Sequence, residues 1–177
     1  MRWFTRQRYE DPDFDEWDVL VKDYAAYLES IRSQLPDQLR LLADIDLHDA
    51  GVEAAEIDLL RRTARIRFLT FGSQRLITCR YEDADFGNSN IHNLEYAIEA
   101  IIPKRDSEGH VFGWTPLVRV LSDEVTVEGD RFQHALVLQP FGDFAVTFRG
   151  FTLTAERGFE PHSRETKERF RVINEFS

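Results

Sequence analysis

Cys79 is the lone cysteine among 177 residues. One thiol excludes an internal disulfide and any metal centre built from cysteine alone. No apolar run approaches the roughly 18 residues of a membrane-crossing helix, and Met1–Arg2–Trp3–Phe4–Thr5–Arg6 lacks the apolar stretch of a secretory leader. A cytoplasmic protein without a membrane partner is expected. Glycine and proline are scarce, at nine and six residues, which excludes collagen-like and low-complexity chains. The phosphate-cradling patterns G-x-x-x-x-G-K-[ST] and G-x-G-x-x-G are missing, as is the nucleophile pattern G-x-S-x-G. No cofactor is implied. Positive charge is also short: 22 Lys and Arg face 32 Asp and Glu, for a formal charge of −10. That balance opposes attraction to nucleic acid or anionic membrane and suits a partner with a basic surface.

What the chain does have is core-forming material, including 14 Phe and 3 Trp, and a length suited to one domain. Apolar residues at Phe14, Trp17, Val21, Tyr24, Leu28, Ile31 and Leu35 step by three and four, which predicts a helix over 13–35 capped by Asp13. Pro36 opens a second helix, 36–43, and the helical part extends to about residue 45. Beyond it the period becomes two. A β module is expected over 50–83, with Ile66 and Phe68 on one face and Arg65 and Arg67 on the other. A short helix near 94–101, stopped by Pro103, leads into an irregular connection over 104–114. A second β module follows over 117–155, and Ser163 can cap a last helix, 163–174. The class is α+β, with early helices packed on antiparallel sheet.

The two modules resemble one another. Residues 64–80 and 134–149 each place a Phe–Gly bend between two strands and close on Thr, an apolar residue and Arg. Ile66 and Phe68 match Leu136 and Leu138, and Ile77 and Cys79 match Val146 and Phe148. Hairpins of this kind must be covered on their apolar face by each other or by the helices.

Three sets of side chains have chemical potential. The stretch Asp44–Ile45–Asp46–Leu47–His48–Asp49 is the densest group of metal-capable ligands, yet no calcium-loop glycine follows it, and a solvated connector is the plainer expectation. His134 lies in phase with Leu136 and Leu138, so its imidazole needs a buried partner, for which Asp49 and Asp123 are available. His48, Asp49 and His134 therefore form a candidate polar cluster, and a metal-dependent hydrolase built on them is one functional alternative. No catalytic residue and no metal ligand can be assigned outright, because a hydrolase also needs a nucleophile and an oxyanion site. Finally, residues 61–80 carry six Arg and no acid or Lys. Arg65, Arg67 and Arg80 can share one face as an anion or partner patch, with pairing to the protein's own acids as the alternative.

Trp3–Phe4–Thr5 with Tyr9, a helix ending near Leu35–Pro36, and Leu47–His48–Asp49–Ala50 ahead of a β-rich region resemble a family of small acidic bacterial proteins without an established activity. Phe132–Gln133–His134–Ala135–Leu136 and Phe148–Arg149–Gly150–Phe151 resemble that family's second hairpin, so the likeness spans Arg2 to Leu153. Some similar proteins accompany toxin–immunity loci. The resemblance implies an immunity-like protein-binding role and assigns no particular residue. A non-enzymatic binding domain for a basic protein is the leading expectation, with the hydrolase and a self-associating structural component as alternatives.

Overall fold

A computed structural model describes residues 2–10, 14–70, 75–87, 89–140, 142–156 and 169–174. After a short helix α1 (Arg6–Glu10), the long helix α2 (Phe14–Ile31) follows, as the spacing of its apolar residues predicts. A 3-10 turn, Arg32–Gln34, ends it before Leu35 becomes extended. Pro36 then supplies the first acceptor of α3 (Asp37–Ala43), its carbonyl taking the amides of Leu39 and Arg40 at 2.9 Å each. Asp13, the expected cap of the long helix, lies outside the described residues.

The first β module is present as β1 (Gly51–Asp58), β2 (Thr63–Leu69) and β3 (Leu76–Glu82). Its bend at Gly72 lies outside the described residues. Helix α4 (His92–Glu99) is followed by β4 (Ile101–Arg105) and β5 (Val111–Pro116). The connection expected to be irregular is thus a two-stranded antiparallel ribbon, a correction to the prediction for 104–114. Pro103 stops no helix, because α4 has already ended and the proline sits within β4, in a ribbon where every strand is an edge. The second module comprises β6 (Arg119–Glu128), β7 (Arg131–Gln139), β8 (Asp143–Phe148) and β9 (Gly150–Glu156).

The two hairpins do not share a sheet. β2 and β3 lie in a five-stranded sheet ordered β10-β1-β2-β3-β9, whereas β7 and β8 pair with β6 in a separate three-stranded sheet. β10 is Phe170–Ile173, parallel to β1, so the last helix does not continue to residue 174 as expected. Arg169 is helical, residues 163–168 fall outside the described set, and the chain is strand from Phe170. Burying Phe170 beside Ala55 in the ladder outweighs continuing a helix.

Alternation predicts the core correctly. Ile66, Phe68, Ile77 and Cys79 from one sheet meet Leu136, Leu138, Val146 and Phe148 from the other, all buried. Tyr81 and Phe148 bring the sheets within 5.1 Å, ring centre to ring centre. Leu39 and Leu42 of α3, with Leu94, Ala97 and Ile98 of α4, complete this interior. Close approach is built into two glycines. A Cβ on Gly51 would lie 2.7 Å from Pro116, and one on Gly142, already at φ +99°, would lie 2.9 Å from Asn93.

Helix α2 sends Ile31 into this interior, with Tyr27 and Leu28 packed against it, and has a second task. It guards β6, an edge of the three-stranded sheet, where the Tyr24 hydroxyl accepts the Val125 amide at 2.6 Å and the Tyr27 hydroxyl accepts that of Val127 at 3.0 Å. Trp3, Phe4 and Leu20 form a second small core there, joined by Tyr9, Trp17, Tyr24 and Tyr27. Val21, in the middle of the apolar stripe, remains 45% exposed.

Candidate functional site

The Val21 exception marks a cleft of about 310 Å³. Its walls come from α2 through Trp17, Val21 and Tyr24, and from the N-terminal segment through Phe4 and Tyr9. Ala43 at the end of α3 and Ile45, Asp46 and His48 in the turn after it contribute, and β6 closes the floor with Leu121, Ser122 and Asp123. A bulge between Val120 and Ser122 shapes that floor. It leaves Leu121 outside the ladder, and its carbonyl accepts from His48 Nδ1 at 2.7 Å and from the Tyr9 hydroxyl at 3.5 Å. Because a carbonyl can only accept, His48 carries its proton on Nδ1.

Behind the floor runs a buried polar chain. Asp123 and His134 sit on neighbouring strands as diagonal partners on one face, and Asp123 Oδ2 lies 3.3 Å from His134 Nε2. On the other side of the ring, Nδ1 is 2.7 Å from the Tyr81 hydroxyl, which reaches across the core from β3. The Cys79 thiol lies beside Tyr81 on the same face of β3. Burial pushes the thiol up to about 12 and the Tyr81 hydroxyl well above its ordinary value, so both keep their protons at neutral pH. The donors then order themselves: Tyr81 gives to Nδ1, and Nε2–H gives to Asp123. His134 is 1% exposed, whereas Asp123 is 16% exposed and opens onto the cleft.

The other hydroxyls of the cleft are equally reluctant acids. Burial raises Tyr9, with Asp123 adding to the effect. Burial also raises Tyr24, and the Asp123 and Glu124 carboxylates push the same way. Neither tyrosine nor the buried thiol is poised as a nucleophile near neutral pH.

The predicted polar cluster is therefore only partly assembled. His48 lines the cleft and His134 stands behind it, with Asp123 as the imidazole's carboxylate partner. Asp49 is drawn elsewhere, to Arg119 at 3.1 Å, and lies 4.0 Å from His48 Nε2. The remaining acids of that stretch are occupied locally. Asp44 pairs with both terminal nitrogens of Arg32 at 3.0 and 2.9 Å, and Asp46 accepts the His48 amide at 2.9 Å. Among the described residues, no three His, Cys, Asp or Glu side chains converge as a metal site.

The arginine patch is largely neutralised from within. Arg67 Nε lies 3.0 Å from buried Glu53, and Arg65 lies 3.6 Å from Glu56 on the adjacent strand. Arg61 pairs with Asp58 and Arg62 with Asp83, each at 2.9 Å. Arg80 lies directly opposite Arg65 in the ladder, exposed and without an acidic partner among the described residues.

Two residues carry more structural weight than their place in the sequence suggests. Glu124, fully buried, accepts the backbone amides of Arg2, Trp3 and Phe4. Asp83 gathers Arg62, Arg131 and Arg149 at 2.9, 3.1 and 3.0 Å. Neither had a sequence signal beyond the acid itself. No protein family matches the chain, and neither does any curated protein or solved structure. Among the described residues no helix is long and apolar enough to cross a membrane.

Proposed function

We propose that the chain is a non-enzymatic protein-binding domain of the cytoplasm, an inhibitor or immunity-type partner of a basic protein. The observation that carries this reading is the outward face of α2. Asp18, Asp23 and Glu29 are exposed there with Glu16 at the margin, against the single cation Lys22. Set among these acids are two apolar side chains in water, Val19 at 56% and Val21 at 45% exposure. Acidic side chains speed the encounter with a basic surface, and apolar groups between them supply area to bury once the partners dock. The chain's charge of −10 acts in the same direction.

The interior chemistry is in keeping with this choice. The Tyr81–His134–Asp123 chain satisfies its own donors, and the Tyr81 hydroxyl and the neighbouring Cys79 thiol hold their protons. The reading is tested by immobilising the purified chain and passing host extract over it at low and at moderate salt. A stoichiometric basic protein, held more weakly as salt rises, is the expected result. Recovery of no stoichiometric partner at either salt removes the reading.

A further inference from the structure

The cleft beside α2 combines two features. Its walls are aromatic, with Phe4, Tyr9, Trp17 and Tyr24, and its polar groups are the Asp46 and Asp123 carboxylates with His48 and Ser122. No lysine or arginine is among the described residues that line it. At about 310 Å³ it sits at the lower limit for ligand pockets and fits one side chain better than a nucleotide or a large cofactor. Aromatic faces attract cations through their quadrupole, most strongly for tryptophan, and a carboxylate at hydrogen-bond reach adds charge and direction.

The same aromatic cluster already holds one cation on another flank. The Arg2 guanidinium lies 4.5 Å from the Trp3 ring centre and 5.6 Å from that of Tyr27. Trp3 in turn packs on Tyr24 at 5.2 Å, and Tyr24 is a wall of the cleft. Asp123 is also well prepared for this task. His134 fixes one of its oxygens from behind with a donated proton, which orients the carboxylate.

We infer that this cleft receives the cationic head of a lysine or arginine side chain presented by the protein partner, with Asp123 as the counter-charge and Trp17 as the aromatic wall. The inference rests on the protein-binding reading and gives it a chemical anchor. Val21 lies on both the cleft wall and the exposed side of α2, so an inserted side chain and a docked acidic helix belong to one continuous surface. A single buried cation near the centre of such a surface would carry much of the binding energy.

The test uses the intact chain and small probes, so it does not depend on having found the partner. N-acetyl-lysinamide and N-acetyl-argininamide are titrated while the Trp17 indole and Val21 resonances are followed by NMR, with N-acetyl-norleucinamide as the neutral control. The expected result is saturable shifts at millimolar probe for both cations and none for norleucine. Asp123→Asn keeps an oxygen for His134 to bond and should weaken binding about tenfold, the scale of one lost charge contact. Val21→Lys, at an exposed position that tolerates substitution, places a cation at the mouth and should abolish the shifts. No saturable shift, equal binding of norleucine, or unchanged affinity in folded Asp123→Asn and Val21→Lys each overturn the inference. Free putrescine binding tenfold more tightly than the capped amino acids overturns the assignment to a side chain. Cation binding without any captured partner would sustain the cleft while removing the protein-binding reading. A captured partner with no cation binding would do the reverse.

Discussion

The Glu124 carboxylate accepts the backbone amide of Trp3 at 3.0 Å and thereby ties the start of the chain to β6. With Arg2 at 2.5 Å and Phe4 at 3.3 Å, three consecutive amides converge on one fully buried side chain. Glu124→Ala leaves these donors without an acceptor in a low-dielectric setting. A loss of about 3 kcal/mol in urea unfolding is expected, along with faster hydrogen exchange at Trp3 and Phe4. An unchanged urea midpoint would mean that the N-terminal segment is not anchored here.

Tyr24 and Tyr27 do for the edge of β6 what another strand would do. Tyr24→Phe and Tyr27→Phe retain the rings and remove only the acceptors for Val125 and Val127. Each should cost about 1 kcal/mol and selectively speed exchange of its own partner amide. Uniform exchange changes across the sheet would point to general destabilisation instead.

Tyr81→Phe isolates the buried relay. It removes the donor to His134 Nδ1 while keeping the ring that packs on Phe148. An expected loss of about 2 kcal/mol follows from leaving a buried ring nitrogen unsatisfied. The His134 nitrogen resonances should move with it. If they stay in place, the Tyr81–His134 bond is not formed in solution.

Much of the architecture was legible in the sequence because strand alternation is a local property. Ile66 and Phe68 of β2 carry it, while in β7 Ala135 and Val137 are buried along with Leu136 and Leu138. The β4–β5 ribbon was hidden by Pro103, Gly109 and Gly113, which resemble loop composition. Phe170 and Ile173 fit a helical step as well as a strand, and only pairing with distant β1 decides between them. For the site, His134 declared its need for a partner through its phase, and Asp123 was one of two possibilities. Tyr81 was legible only as an apolar member of Ile77–Cys79–Tyr81, since the target of its hydroxyl lies on another sheet. Glu124 was invisible as a buried acid because the N-terminal segment that covers it is more than a hundred residues away in sequence.

Acid should unfold the protein through carboxylates held below their ordinary range. Arg32 does this to Asp44, the Arg61 backbone amide to Asp58, and Arg149 to Asp130, each chiefly by hydrogen bonding. The folded state binds these protons less readily than the unfolded state, so the stabilisation is fully present above the unfolded value near 4. It is lost as pH falls through the lower folded values. Melting temperature should therefore drop from about pH 4 downward, and Asp58→Asn should make that drop shallower. An unchanged slope in Asp58→Asn would mean that its hydrogen bonds to Leu60 and Arg61 do not persist in solution.

The proposed binding role rests on the acidic face of α2, and reversing the charge of that face examines it most directly. The triple substitution Asp18→Lys, Asp23→Lys, Glu29→Lys alters exposed positions only and should leave the melting temperature within a few degrees. Wild-type and substituted chains are passed through the same host extract, and captured proteins are quantified by mass spectrometry. A basic protein recovered stoichiometrically by the wild type and lost at least tenfold by the substituted chain is the expected outcome. Equal recovery by both chains would contradict the account.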